Sequence, residues 1–174
     1  MKTRCGIILV LVMLTALLLA ALPAAAPAAV ELNPYEQQVV KLVNQERAKR
    51  HLAKLRVNAK LVDAARAHTA DMGENQYFEH SSYDGTSWSD RVLKYYVRDG
   101  YRRWKAGENI AWGAGLYSSP VSIVSGWMNS PVHRAVILTK DFREIGVGAA
   151  SVEGYGSVDG TVWFFTLDLG RRAK

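Results

Sequence analysis

Cysteine is almost absent: Cys5 is the only one in 174 residues. It lies ahead of an uncharged run from Gly6 to Leu22, whereas a bacterial lipoprotein needs its cysteine just after such a run. Everything downstream is therefore without a thiol, which excludes disulfides and a cysteine nucleophile and leaves stability to the packed core. Internal repeats are absent, and there is no low-complexity segment after an early alanine-rich stretch. Histidine is scarce as well, with four in the chain. At this length, with half the residues apolar, one ordinary globular core is expected and two are not.

The first residues stand outside that core. Lys2 and Arg4 precede the apolar run, and Ala26 and Ala28 fit the small-residue positions before a cut, so residues 1–29 read as a secretory signal. Residues 30–174 form the domain, expected outside the cell and in reach of its envelope. The apolar run is nearly long enough to cross a bilayer, which makes an uncleaved anchor the alternative and the one route to a membrane.

Loss of Lys2 and Arg4 lowers the formal charge from +6 to +4, a weak preference for anionic surfaces. The charge is concentrated from Lys94 to Lys105, where cations interleave with Tyr95, Tyr96, Tyr101 and Trp104. That pattern suits anionic polymers, lipid head groups or single-stranded nucleic acid, and equally a solvated helix end with snorkelling arginines. An extracellular address argues against nucleic acid as partner. Arg171, Arg172 and Lys174 read as a frayed basic tail.

Asn33-Pro34 starts a first helix that runs to about Arg50, with Val39, Val40, Leu42, Val43 and Ala48 inside and Glu46, Arg47, Lys49 and Arg50 on the other side. Leu52 and Leu55 read as core plugs, and His51 sits in a loop. Asn58 caps a second helix whose buried stripe is Leu61, Ala64, Ala65, His68 and Met72; His68 is read as a satisfied core residue. Ser87 to Asp90 form a capping box for a third helix ending at Gly100, from which Arg91 tethers loop carbonyls. Ser119-Pro120 starts a fourth helix with Val121, Val124, Trp127 and Met128 inside. Ser130-Pro131 starts a fifth, with Ser130 as cap and the apolar run Ala135 to Leu138 as anchor. Glu144–Val152 and Val162–Leu169 are β-branched and aromatic runs around a turn-rich segment, a hairpin. Helices followed by antiparallel strands imply an α+β domain with helices covering the sheet.

Three side chains carry the chemistry. His133 falls in the first turn of the fifth helix, where the positive end of the dipole favours the neutral imidazole. Glu108 lies in Gly107-Glu108-Asn109-Ile110-Ala111-Trp112-Gly113, where bracketing glycines imply close backbone approach around a partly buried carboxylate. Such a carboxylate needs a cationic or donor partner, and a histidine is the evident one. His80 stands in the turn-rich loop Glu79–Gly85, directly behind a helix end.

In order along the chain, Asn44-x-x-Arg47, Phe78-x-His80-Ser81, Asp84-Gly85, Gly107-Glu108-Asn109-Ile110-Ala111, Trp127-Met128-Asn129-Ser130-Pro131-x-His133-Arg134 and Ile145-Gly146-Val147-Gly148 resemble the bacterial branch of the CAP superfamily. That superfamily holds the cysteine-rich secretory proteins, antigen 5 and the plant pathogenesis-related proteins. The resemblance covers Tyr35 to Gly170. It implies an α–β–α sandwich with a central antiparallel sheet and a cleft holding His80, Glu108 and His133. Animal members carry a second glutamate where this chain has Ser130, beside Asn129, so the second acid of a His/Glu tetrad is missing.

Two neutral imidazoles and a carboxylate can make a His₂Glu zinc site with water in the fourth position. Equally, Glu108 can fix an imidazole tautomer with no metal. No Ser/His/Asp triad stands out; Asp168 is a third-shell partner or flanks the sheet edge. Two functions follow. One is a secreted binding module whose cleft, lined by His80, Glu108, His133, Asn129 and Ser130 with Tyr83, Trp88, Trp104 and Trp112 nearby, takes an envelope glycan, lipid or peptide. The other is a zinc hydrolase of peptide or cell-wall bonds, with His80 and His133 as ligands and Glu108 as ligand or general base. The missing acid favours the binding module.

Overall fold

The computed structural model describes residues 30–174, so the signal reading of residues 1–29 and Cys5 lies outside the described residues. Helix α1 (Pro34–Ala48) opens on a full capping box: the Asn33 side chain accepts the Glu36 N–H, and Glu36 accepts the Asn33 N–H. A two-residue strand β1 (Arg56–Val57) leads to α2 (Ala59–Glu74), capped by Asn58 as its sequence implies. After α3 (Trp88–Tyr95) come strand β2 (Arg103–Ala114), α4 (Pro120–Asn129), α5 (Pro131–Ile137) and the hairpin of β3 (Glu144–Tyr155) with β4 (Val158–Ala173).

The strands form one sheet in the order β1-β3-β4-β2. Its long pairs are antiparallel, while β1 runs parallel to β3. Alternation along β4 divides the core. Phe165, Leu167 and Leu169 meet Val39 and Val43 of α1 and Ile123, Val124 and Trp127 of α4. Val162 and Phe164 point the other way, toward Met72 of α2. Helices thus cover both faces, and the α+β sandwich is the observed architecture. On the α2 face Gly146 and Gly148 leave no room for a Cβ, which would run into the backbone of Leu61 and Ala65 respectively. This close approach sets the depth at which α2 sits and so the height of the loop that follows it.

Several local expectations are corrected. Helix α3 stops at Tyr96 rather than Gly100, because the Tyr96 ring is fully buried and its hydroxyl bonds Glu144. Gly107–Gly113, for which the sequence pattern predicts no element, is the middle of β2. Arg171 and Arg172 do not fray: they extend β4 and pair with Lys105 and Trp104. Arg47 belongs to the buried side of α1, not the polar one. Val121 is exposed on α4, with Ile123 taking its place in the core. Ser130 precedes α5 but its side chain makes no cap bond.

Candidate functional site

Strand β2 is an edge of the sheet, and along that edge a cavity of about 530 Å³ opens between α3 and α5. One wall is apolar, built by Val136, Phe142 and Ala135; His80, Trp88 and Glu108 form the other, and Lys105 stands at the rim. The polar wall is a chain of contacts. His80 Nδ1 lies 2.8 Å from Glu108 Oε1, and Arg91 donates to Glu108 Oε2 at 2.5 Å. The His80 side chain is 47% exposed while that of Glu108 is 1% exposed, so a solvent-facing imidazole is moored to a buried carboxylate. With Nδ1 turned to Glu108, Nε2 is the nitrogen left for a ligand.

The His80 loop is held from below. Arg91 also donates to the His80 carbonyl at 3.0 Å and the Ser82 hydroxyl at 2.9 Å. His68 Nε2 lies 2.9 Å from the Glu79 carbonyl, a contact in which the ring nitrogen donates. Burial pushes the His68 pKa down to about 4, so its neutral form is the one present, with Nδ1 unpartnered. Asp71 accepts the Tyr83 N–H at 2.9 Å and the Tyr77 hydroxyl, fixing the far side of the loop. The expected tether role of Arg91 is present, and it is joined by an ion pair that the sequence did not announce.

Asp168 is not at the sheet edge. It lies on β4, an interior strand, directly opposite Glu108, and is completely buried. Burial and the neighbouring Glu108 charge raise its pKa well above the ordinary value, against the pull of Arg91. As a carboxylate neither oxygen would have a hydrogen-bond partner; as a carboxyl it has Glu108 beside it as acceptor. This sets a testable pH dependence. A folded pKa above the unfolded one means the native state holds the proton longer, so stability is full below the unfolded value and falls as pH rises through the folded one. Asp168→Asn keeps the shape and cannot ionise. Urea unfolding should show the variant gaining on the parent as pH rises above the ordinary aspartate range, by about 1.4 kcal/mol per pH unit until the folded Asp168 ionises.

The other expected residues are placed differently. His133 is in the first turn of α5; burial first and the His80 charge second lower its pKa, and its Nδ1 is buried without a partner. Asn109, fully buried on β2, donates to the His133 carbonyl at 3.0 Å and ties α5 to the strand. His133, Asn129 and Ser130 do not line the cavity. Of the four aromatics only Trp88 does; Tyr83 lines a separate hollow, Trp104 packs on Tyr96, and Trp112 packs on Tyr155. A zinc centre of the His₂Glu kind needs three donors turned to one point. Both Glu108 oxygens are already engaged, and among the described residues no three histidine, cysteine, aspartate or glutamate side chains gather as a metal-holding group. The donors present do not fit that centre.

Residues 40–169 match the profile of the Cysteine-rich secretory protein family, CAP. The chain belongs to this family. It is 39% identical over 117 residues to YkwD of Bacillus subtilis strain 168, an alignment covering 67% of this chain and 43% of the relative. To YlbC, a membrane protein of the same strain, it is 38% identical over 113 residues, 65% of this chain and 31% of the relative. The chain thus spans less than half the length of either. Among solved structures, the CAP fold matches an extracellular SCP-domain protein of Bacillus anthracis with a TM-score of 0.62 and 29% identity, over 84% of this chain and 45% of that one. An outer surface protein of Borrelia burgdorferi shares the fold, with a TM-score of 0.59 and 21% identity over 78% and 91% of the two chains. This CAP domain is of the bacterial type and carries its family's sandwich without the cysteines of the family's name.

Proposed function

We propose that the protein is an extracellular binding module that holds an envelope-associated ligand in the β2-edge cleft. The observation that supports this reading is the pairing of two unlike walls: an apolar one of Val136 and Phe142 facing an imidazole that is moored, through Glu108, to Arg91. Such a site takes a molecule with an apolar flank and a polar group, as envelope glycans, lipids and peptides all have. The ligand's apolar flank lies on Phe142, and His80 Nε2 meets its polar group. Because Glu108 is tied by two donors, it orients His80 and is not a free base. The SCP-domain protein of Bacillus anthracis described as extracellular fits the proposed address.

The test is calorimetry on the purified protein with three probes: a muropeptide, palmitate and an extended octapeptide. One of them should bind saturably, and Val136→Arg, which fills the apolar wall from an exposed helix, should weaken that binding at least tenfold. Silence from all three, or binding indifferent to the substitution, defeats the reading. Zinc titration of the parent beside the His80→Ala, His133→Ala double variant addresses the hydrolase. Micromolar zinc binding that vanishes in the double variant, with zinc-dependent bond cleavage, would replace the binding module by that enzyme.

A further inference from the structure

Beyond the cleft, a second cavity of about 270 Å³ lies where β2 begins and β4 ends. Arg98, Arg102, Arg103, Lys105 and Arg171 line it together with Trp104, and Asp141 is the one acid on its wall. Three segments bring these cations together. Arg98 and Arg102 come from the connection before β2; Arg103 and Lys105, two residues apart on β2, share one face of the sheet. Register then sets Arg171 of β4 directly opposite Lys105. Like charges in opposed positions destabilise a sheet, so the arrangement calls for an anion. Asp141 answers only part of that demand, pairing with Lys105 at 3.3 Å while its backbone carbonyl accepts Arg171 at 3.4 Å. Arg98, Arg102 and Arg103 have no ion pair among the described residues.

The aromatic residues interleaved with these cations in the sequence are already engaged. The Trp104 indole N–H donates to the Tyr96 carbonyl at 2.7 Å, and the Tyr96 ring is buried. The Arg172 guanidinium covers the Tyr96 and Tyr101 rings, 4.0 and 4.7 Å from their centres. Trp104 packs on Tyr96 from the sheet face opposite Arg103 and Lys105, so the row of cations carries no run of free rings of the kind that stacks successive bases. The row of cations is also longer than one phosphate requires, since side chains two apart on a strand stand about 6.8 Å apart and the two loop arginines extend the row.

We propose that this cavity binds the phosphodiester groups of a linear anionic polymer, gripping backbone charge without reading bases. Lys105 is shared with the wall of the cleft, so a polymer seated in the basic cavity passes beside the first site. This site stands independently of what the cleft holds.

The test is fluorescence titration of the purified protein with a poly(glycerol phosphate) oligomer, an oligo-dT of equal charge and phosphatidylglycerol vesicles, across a salt series. The expected result is polymer binding that weakens with log salt at a slope of about −3, as about four neutralised phosphates give. The triple variant Arg98→Gln, Arg102→Gln, Arg103→Gln should lose at least tenfold in affinity and about 2 in slope, with an unchanged urea transition; Arg103→Glu alone should lose at least fivefold. The proposal is overturned by no polymer binding, by binding that both variants retain in full, by tighter binding of oligo-dT than of the polymer, or by binding to vesicles alone.

Discussion

Arg91→Met should lower the unfolding free energy by about 3–5 kcal/mol, the usual result of removing one partner from a buried ion pair. Arg91 and Glu108 are 5% and 6% exposed, and among the described residues no other permanent cation contacts that carboxylate. Removing the guanidinium strands the Glu108 charge next to Asp168, whose own proton is then harder to lose. It also drops the two bonds that hold the His80 carbonyl and Ser82. Urea unfolding at pH 7 measures the loss. Glu108→Gln in the same chain should restore part of it, because an amide does not need the cation, and the double-mutant cycle then reports the coupling. Arg91→Lys should fall between, keeping charge but not the fork that reaches Glu108, Ser82 and a carbonyl together. If Arg91→Met unfolds with the parent, the pair does not hold this wall of the cleft.

Arg47→Met is the second large effect, with an expected loss of about 4 kcal/mol from the acceptors it strands. Arg47 is the largest fully buried side chain, and it donates to the carbonyls of Ala53, Ile137, Thr139 and Phe142 at 2.7 to 3.3 Å. Methionine fills much of the volume but leaves those acceptors unpaired, at about 1–3 kcal/mol for each one kept from water. The bonds to Ile137 and Phe142 are the buried ones and dominate. They fasten the end of α5 and the segment behind the apolar wall to α1, so the variant should also loosen the cleft. Hydrogen exchange in residues 137–143 measures this against the rest of the chain. Exchange that speeds up uniformly would mean global destabilisation without local release.

Much of this fold can be read from residues that act locally. Asn33-Pro34 and Ser119-Pro120 open their helices because cap and proline chemistry need no tertiary help. The β3–β4 hairpin is legible because its β-branched and aromatic runs flank glycine turns. What escaped depends on partners far along the chain. Arg47 sits at a polar-looking position on α1, and only the carbonyls of residues some ninety positions away explain its burial. β2 hides because Arg103, Lys105 and Glu108 interrupt its apolar alternation, each for a cavity that exists only after folding. At the site, the need of Glu108 for a donor follows from burial alone, and His80 is within its reach. The competing claims of Arg91 and Asp168 are facts of helix docking and strand register, which no local pattern encodes.

The strand order has one more consequence, in the sequence of events during synthesis. β2 and β3 are both made before β4, yet they are joined to each other only through it, β3 having just the two-residue β1 on its other side. Until β4 arrives, both present open edges, and the apolar residues of α1 and α4 lack Phe165, Leu167 and Leu169 to pack on. The domain cannot mature progressively as it leaves the ribosome; its sheet closes in one late step, when the final strand slides between two that are waiting. A sheet built this way is completed only when β4 is free to enter it, so the last strand decides when β2 is joined to the rest.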